Sequence, residues 1–137
     1  MGTTAELIRR LAELYNGGSP DEYGSDKFLQ LYADDVDWVE APTEITPQGR
    51  AGDLLGLREA LKLGQSLFRD RRLLIDEIVE DGNRAVWMGS WSATIGVEGL
   101  PFPIGTRIER RLAMLIEARD GRIVRQYDFP AAPVAST

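Results

Sequence analysis

The sequence predicts an α+β fold in which helices come first and an antiparallel sheet follows. Three amphipathic helical patterns lie before Arg72, and the pattern after it changes to strand-like runs. Two Asp-Gly pairs, Asp81–Gly82 and Asp120–Gly121, stand between these runs in the way that hairpin turns do. Helices followed by antiparallel strands indicate a curved sheet with the helices packed on one of its faces.

The three predicted helices span residues 4–17, 20–32 and 54–68. The first begins with the capping-box spacing of Thr3 and Glu6, and leucines then recur at helical intervals. Pro20 stands at the first helical position of the second pattern, and Asp53 is the candidate N-cap of the third. We therefore expect three N-terminal helices, each with an apolar face toward the sheet.

Strand patterns occupy most of the remaining chain. A short alternating strand is predicted at Val36–Glu40, followed by a loop over residues 41–53. Later strands are predicted at residues 73–80, 85–95, 106–118 and 122–129. The loop 96–105 is unusually apolar, and we expect it to cover a pocket mouth or to join a dimer interface.

The length and the final proline predict the domain organisation. The 137 residues are enough for one domain, which we place at residues 1–130, and not for two. Residues 131–137 carry no periodic pattern, so we expect them to form a flexible C-terminal tail.

Charge and composition exclude several classes of function. The net charge of −6 argues against nucleic acid and anionic membranes as partners. The chain has no cysteine and no histidine, which removes thiolate nucleophiles, Ser-His-Asp systems and the common metal-ligand sets. No apolar stretch is long enough to span a bilayer, and the N-terminus has no signal-peptide pattern, so we expect a cytoplasmic protein.

Without histidine, carboxylates are the expected acid-base groups, with no cofactor and no metal. Asp128 ends the last predicted strand between Tyr127 and Phe129. An apolar environment raises the pKa of a carboxyl toward neutrality, where it can both donate and accept protons. We therefore expect Asp128 to lie in a pocket; the alternative is a strand-end carboxylate that faces solvent.

Two short motifs and the order of elements resemble the nuclear-transport-factor-2-like superfamily. The motifs are Tyr-Ala-Asp-Asp-x-x-Trp-Val-Glu at residues 32–40 and Gly-Arg-Ile-Val-x-x-Tyr-Asp-Phe at residues 121–129. Within the superfamily, the chain is most similar to SnoaL-like polyketide cyclases, limonene epoxide hydrolases and ketosteroid isomerases. The resemblance covers residues 4–130 and implies a cone-shaped, mostly antiparallel sheet that encloses an apolar pocket. It implies a small apolar molecule, polyketide-like or terpenoid-like, as the partner.

The resemblance also implies the site residues. Asp128 matches the carboxylate that the cyclases and epoxide hydrolases use as acid or base. Glu40 matches the general base of the isomerases, and Trp38 with Glu40 matches the pair that holds water in the epoxide hydrolases. Arg110 lies on the expected pocket face, where its partner would be a carboxylate or an anionic substrate group; an exposed position is the alternative for Glu40 and Arg110. The other expected pocket residues are Tyr15, Tyr32, Leu112, Met114, Ser90, Ser92 and Phe102.

Departures from the family patterns reduce the number of activities that we expect. Ser90 and Ser92 stand where the epoxide hydrolases have an Arg-x-Asp pair, which argues against that mechanism. Leu11 stands where the isomerases have a tyrosine, although Tyr15 follows one turn later. We expect an enzyme of the cyclase, isomerase or dehydratase type, and the alternative is a non-catalytic ligand-binding or dimerisation module.

A homodimer is expected in either case. Trp87 and Trp91 share one face of a predicted strand, because residues two apart in a strand point the same way. In an isolated chain that face would be an exposed apolar patch, and such patches mark interfaces. The alternative for the two tryptophans is that they pack in the core.

Overall fold

A computed structural model describes residues 3–17 and 26–136, in which three helices pack on one face of a seven-stranded sheet. In chain order the elements are α1 (Thr4–Gly17), α2 (Asp26–Leu29), β1 (Tyr32–Glu40), β2 (Arg50–Gly52), α3 (Leu54–Leu67), β3 (Phe68–Asp81), β4 (Arg84–Ile95), β5 (Arg107–Arg119), β6 (Arg122–Pro130) and β7 (Val134–Ser136). The sheet order is β2-β1-β6-β5-β4-β3, and β7 pairs with β5. The predicted fold, a cone-like mostly antiparallel sheet on three helices, is confirmed.

The two predicted helix caps are present. The Glu6 N–H donates to Thr3 Oγ1 at 3.1 Å, and the Gly56 N–H donates to Asp53 Oδ1 at 2.9 Å. The predicted start of the second helix at residues 19–22 lies outside the described residues. Its predicted end at Tyr32 is wrong, because Tyr32 begins β1 and pairs with Ile123 of β6. Within the described ranges, no helix is long and apolar enough to cross a membrane.

The long-range pairing of β1 with β6 brings together two distant parts of the chain. β1 runs parallel to β6, which aligns Glu40 with Asp128. On its other edge β1 pairs antiparallel with β2, which aligns Glu40 with Arg50. The predicted loop 41–53 therefore contains a strand of three residues, which is too short to leave a periodic signal in the sequence.

The remaining strands form an antiparallel meander close to the predicted boundaries. Asp120 and Gly121 both have a positive φ, of 53° and 76°. This is the conformation of a type I′ hairpin turn, and Asp-Gly is favoured there because both residues tolerate it. The predicted turns at Asp81–Gly82 and Asp120–Gly121 thus join β3 to β4 and β5 to β6.

The C-terminal residues continue the sheet, contrary to the expected flexible tail. After β6 ends at Pro130, the Ala131 N–H donates to the Arg111 carbonyl at 2.8 Å. β7 then pairs with residues 107–109 at the start of β5. This pairing depends on hydrogen bonds to a distant strand, which the sequence of the tail does not reveal.

The apolar surface that the sheet exposes lies on a different face from the one expected in the argument for a dimer. We call the face that packs on the helices the inner face; it carries Trp87, which is fully buried, and Trp91. Both tryptophans are thus covered within one chain, and the predicted exposed patch around them is wrong. On the opposite, outer face, Leu74, Met88 and Phe129 are exposed by 61%, 39% and 55%.

Candidate active site

A cavity of about 170 Å³ lies between the helices and the inner face of the sheet. Much of its wall is apolar and comes from α1, α3 and the central strands, including Leu11, Leu57, Leu61, Trp91, Leu112 and Met114. Its polar lining includes Glu40, Arg50, Arg71, Arg110, Gln126 and Asp128. The cavity therefore combines an apolar wall with a cluster of polar and charged side chains from β1, β2, β3, β5 and β6.

Asp128 belongs to this cluster. It is aligned with Glu40 on one side and with Met114 on the other, and all three side chains line the cavity. Its Oδ1 atom is buried and has no hydrogen-bond partner among the described residues. A buried polar atom without a partner costs free energy, and such atoms often mark a place where a ligand or water binds.

The environment of Asp128 raises its pKa to about 8. Burial is the largest cause and the negative charge of Glu40 the second, whereas a hydrogen bond from Gln126 and the charge of Arg50 lower the pKa. Arg110 lines the same cavity but is not one of these causes. The carboxyl is therefore mostly protonated at neutral pH, with a small ionised fraction available.

Glu40 is held in place by Arg50 and Thr46. Arg50 Nε donates to Glu40 Oε1 at 3.2 Å, and Arg50 Nη2 donates to Oε2 at 3.0 Å. Thr46 Oγ1 donates to the same Oε1 at 3.1 Å. Such a two-pronged ion pair fixes the orientation of the carboxylate. The site thus places a carboxylate held in an ion pair beside the mostly protonated carboxyl of Asp128.

Gln126 and Tyr32 form a second support for Asp128. Gln126 precedes Asp128 by two residues on the same strand face, and the Tyr32 hydroxyl donates to Gln126 Oε1 at 2.7 Å. With its oxygen engaged in this way, the Gln126 amide has its N–H groups left to donate to Asp128. Trp38 is fixed separately, because its Nε1–H donates to the Asp53 carbonyl at 2.8 Å.

Arg110 is a buried cation on the wall of the cavity. Its guanidinium lies over the Trp91 ring at 5.5 Å from the ring centroid, and its Nη1 donates to the Ala131 carbonyl at 3.3 Å. Burial lowers the pKa of Arg110, while the negative charges of Glu44 and Glu40 raise it. Arginine remains cationic in proteins, so this side chain supplies a fixed positive charge.

The family of this chain follows from its similarity to known proteins. The model of the SnoaL-like domain matches residues 8–126. This chain belongs to the SnoaL-like domain family. The predicted membership of the nuclear-transport-factor-2-like superfamily is thereby confirmed. No curated protein sequence matches the chain significantly.

Solved structures share the fold of this SnoaL-like chain at low sequence identity. IdmH from Streptomyces antibioticus, a proposed polyketide cyclase, has 23% identity and a TM-score of 0.76, with 94% of this chain and 92% of that chain covered. A proposed polyketide cyclase from Xanthomonas campestris has 21% identity and a TM-score of 0.72, with 91% and 87% covered. A protein with a ketosteroid isomerase-like fold from Catenulispora acidiphila, in complex with trimethylamine, has 17% identity and a TM-score of 0.69, with 93% and 86% covered.

Most side chains predicted for the site of the SnoaL-like domain line the cavity, and their roles remain predictions. These are Asp128, Glu40, Arg110, Trp38, Tyr32, Tyr15, Leu112 and Met114. Tyr15 closes one part of the wall, where its hydroxyl accepts a hydrogen bond from Trp91 Nε1 at 2.7 Å.

Three predicted residues do not line the cavity. Trp91 points into it, so Ser90 and Ser92 lie on the outer face of β4 by strand alternation. Ser92 Oγ instead accepts a hydrogen bond from Arg107 Nη2 at 2.8 Å. Phe102 is half-buried in the loop 96–105, none of which lines the cavity. The expectation that this loop covers the pocket mouth therefore has no support.

Sequence reasoning missed Gln126 and Arg50 as members of the site. The signal for Gln126 was present, because strand alternation places it on the same face as Asp128. No local signal could have identified Arg50, since its place depends on the pairing of β1 with β2. In the described part of the chain, no group of three or more carboxylates could hold a metal ion.

Proposed function

We propose that this SnoaL-like protein is a cofactor-independent enzyme that transfers protons on a mostly apolar small molecule, with Asp128 as the acid and base. One observation carries the proposal: a buried carboxyl with a pKa of about 8 has an oxygen without a hydrogen-bond partner in an otherwise largely apolar cavity. A carboxyl tuned in this way has both protonation states accessible near neutral pH. Cyclisation, isomerisation and dehydration all need such a group.

The surrounding side chains have complementary roles in this proposal. The protonated Asp128 donates to a carbonyl or hydroxyl oxygen of the substrate, and the resulting carboxylate then accepts a proton from a substrate carbon or oxygen. Gln126 stabilises the carboxylate form through its N–H donor, which lowers the pKa of Asp128. The ion pair with Arg50 holds the Glu40 carboxylate in place, and the negative charge of Glu40 raises the pKa of Asp128. No external proton carrier is needed over the whole cycle.

The similar structures favour cyclisation as the first reaction to test. Two of them are proposed polyketide cyclases, and the chain shares their fold over nearly its full length. Epoxide hydrolysis by an arginine–carboxylate pair on the central strand has no support, because Gly89 and Trp91 occupy the inner face of β4. The substrate class we propose is therefore a small polyketide-like or terpenoid-like molecule.

Asp128→Asn is expected to lower turnover by about 100-fold or more, because general acid-base groups typically contribute about 10² to 10⁴ in rate. The measurement is conversion of a panel of small poly-β-carbonyl compounds, followed by liquid chromatography and mass spectrometry. Asp120→Asn is the matched control, since Asp120 lies in an exposed turn at positive φ, which asparagine tolerates. Equal conversion by wild type and Asp128→Asn would reject Asp128 as the acid and base, and no conversion of any compound by wild type would favour the non-catalytic ligand-binding module.

We further propose that the protein forms a homodimer through the outer face of the sheet. Leu74, Met88 and Phe129 expose apolar surface there, and this surface replaces the tryptophan face on which the sequence argument relied. Sedimentation equilibrium is expected to give twice the mass of one chain for wild type and the mass of one chain for Leu74→Glu. A monomeric wild type at micromolar concentration would contradict the proposal.

A further inference from the structure

We propose that the ligand of the cavity is an apolar molecule carrying one anionic oxygen group, such as a carboxylate, and that Arg110 binds this group. The inference rests on the proposed function and deepens it, because it assigns the charge of the ligand and the place where that charge is held. It follows from the balance of charge in the cavity, from the unused donors of Arg110 and from the position of Arg110 along β5.

The balance of charge is the first observation. Among the described residues, three arginines line the cavity, Arg50, Arg71 and Arg110, together with the two carboxyl side chains of Glu40 and Asp128. Since Asp128 is mostly protonated at neutral pH, the cationic groups outnumber the ionised carboxylates. The chain as a whole carries a net charge of −6, so the lining has the opposite sign to the rest of the molecule. A cationic cavity in an acidic protein favours an anionic ligand.

The unused donors of Arg110 are the second observation. Arg50 donates from Nε and Nη2 to Glu40 in the two-pronged ion pair. Arg110, whose side chain is 7% exposed, makes one hydrogen bond among the described residues, from Nη1 to the Ala131 carbonyl. A guanidinium has five N–H donors, so those on Nε and Nη2 have no acceptor there. The guanidinium carbon lies 5.5 Å from the centroid of the Trp91 ring, a cation–π contact that favours this position of the side chain on the cavity wall.

Glu44 does not satisfy this cation. Its Oε2 lies 3.8 Å from Arg110 Nη1, beyond hydrogen-bond distance, and its side chain is 44% exposed. An ion pair with a partner this exposed contributes little free energy, so a ligand carboxylate can take its place while Glu44 turns to solvent. The geometry fits a residue that occupies the anion position only when no ligand is bound.

The position of Arg110 determines where the charge of the ligand lies relative to Asp128. Arg110, Leu112 and Met114 follow one another on the inner face of β5, and Met114 is aligned with Asp128. At about 3.4 Å per residue, Arg110 lies at most roughly 14 Å along the strand from the level of Asp128. The anionic group therefore lies further along β5 than the atoms that exchange protons, with Leu112 between the two levels, and an apolar segment of the ligand joins them.

A pair of probes of the same shape tests the inference. Binding of 1-naphthylacetate and of its uncharged analogue 1-naphthylacetamide is measured by isothermal titration calorimetry at low salt, for wild type, Arg110→Gln and Arg111→Gln. Arg111 is the matched control, because it is the next residue, lies on the outer face and pairs with Asp76. Wild type and Arg111→Gln are expected to bind the acid about tenfold or more tighter than the amide, as a charge-assisted contact provides. Arg110→Gln is expected to lose this preference and to keep its affinity for the amide.

Three results would overturn the inference: equal affinity of wild type for the two probes, no binding of either probe, or an equal loss of preference in both glutamine variants. If Arg110→Gln binds neither probe, Arg110→Lys decides the matter, because it keeps the charge; loss of the acid preference there also overturns the inference. The same titration on Asp128→Asn separates this inference from the proposed function. An acid preference that persists there, with turnover unaffected by Asp128→Asn, would reject Asp128 as the acid and base and leave the anion site in place.

Discussion

Asp128→Asn is expected to stabilise the folded protein by about 5 to 6 kcal/mol at pH 8 to 9, on the basis of a pKa change of about four units at about 1.4 kcal/mol per unit. The pKa of Asp128 is about 8 in the folded state, against an ordinary value of 3.8. At a pH between these two pKa values, Asp128 holds a proton in the folded state that it has released in the unfolded state. The contribution of this group to the free energy of unfolding is therefore fully present below about pH 4 and is lost as the pH rises to about 8.

The asparagine side chain cannot ionise, so the variant lacks this penalty at every pH. Urea unfolding of both proteins between pH 4 and pH 9 measures the difference, and the contributions of the other titrating groups largely cancel in it. The difference is expected to grow with pH up to about 8 and then to level off. Asp120→Asn, the same substitution in an exposed turn, should keep the pH dependence of wild type. A difference between wild type and Asp128→Asn that does not change with pH would mean that Asp128 titrates normally.

Gly89→Ala is expected to lower the free energy of unfolding by about 3 kcal/mol or more, which places it among the most damaging single substitutions. A Cβ atom at Gly89 would lie 1.9 Å from the Leu74 carbonyl oxygen and 2.9 Å from its carbonyl carbon. Both are backbone atoms of β3, so no side-chain rotation relieves the overlap. The pairing of β3 with β4 must shift, and Trp87 and Trp91 on either side of Gly89 must shift with it.

Gly56→Ala is the matched control for this substitution. A Cβ atom there would lie 3.5 Å from Asp53 Oδ1 and 3.8 Å from the Trp38 ring, which are ordinary contacts. Because alanine is favoured over glycine in a helix, Gly56→Ala is expected to stabilise the protein by about 0.5 to 1 kcal/mol. Urea unfolding at a single pH measures both variants. A Gly89→Ala protein within about 1 kcal/mol of wild type would show that the two strands have room to separate.

The parts of the fold that the sequence predicted are those with local signals. The turn at Asp120–Gly121 needs only two residues that tolerate positive φ, and the alternation in β4 and β5 needs only a buried face. β2 and β7 have three residues each and exist because a distant strand offers its edge. Propensity and periodicity carry no information about such an edge, so both strands were missed.

The residues of the candidate site also separate into those with a local signal in the sequence and those placed by long-range strand pairing. Asp128 could be singled out because its flanking aromatics and strand end are local features, and Gln126 was available from the alternation. Arg50 was not, because its contact with Glu40 depends on the register of β1 against β2. The error at Ser90 and Ser92 came from the match to the Arg-x-Asp pair of the epoxide hydrolases, which put the wrong face of β4 toward the cavity. Trp91, between them, was the residue that faces the cavity.

The parallel alignment of Glu40 with Asp128 has a consequence for how the chain folds during its synthesis on the ribosome. Most of the chain separates these residues, and their strands meet only when β6 has joined the sheet. During synthesis the ribosome releases β1 well before β6, so the acidic pair does not exist on the nascent chain until its last strands emerge. Contacts of such long sequence separation also slow folding, because the intervening loop must be closed first. The abnormal titration of Asp128 therefore appears only in a completely assembled chain, and it distinguishes that chain from any partly folded form.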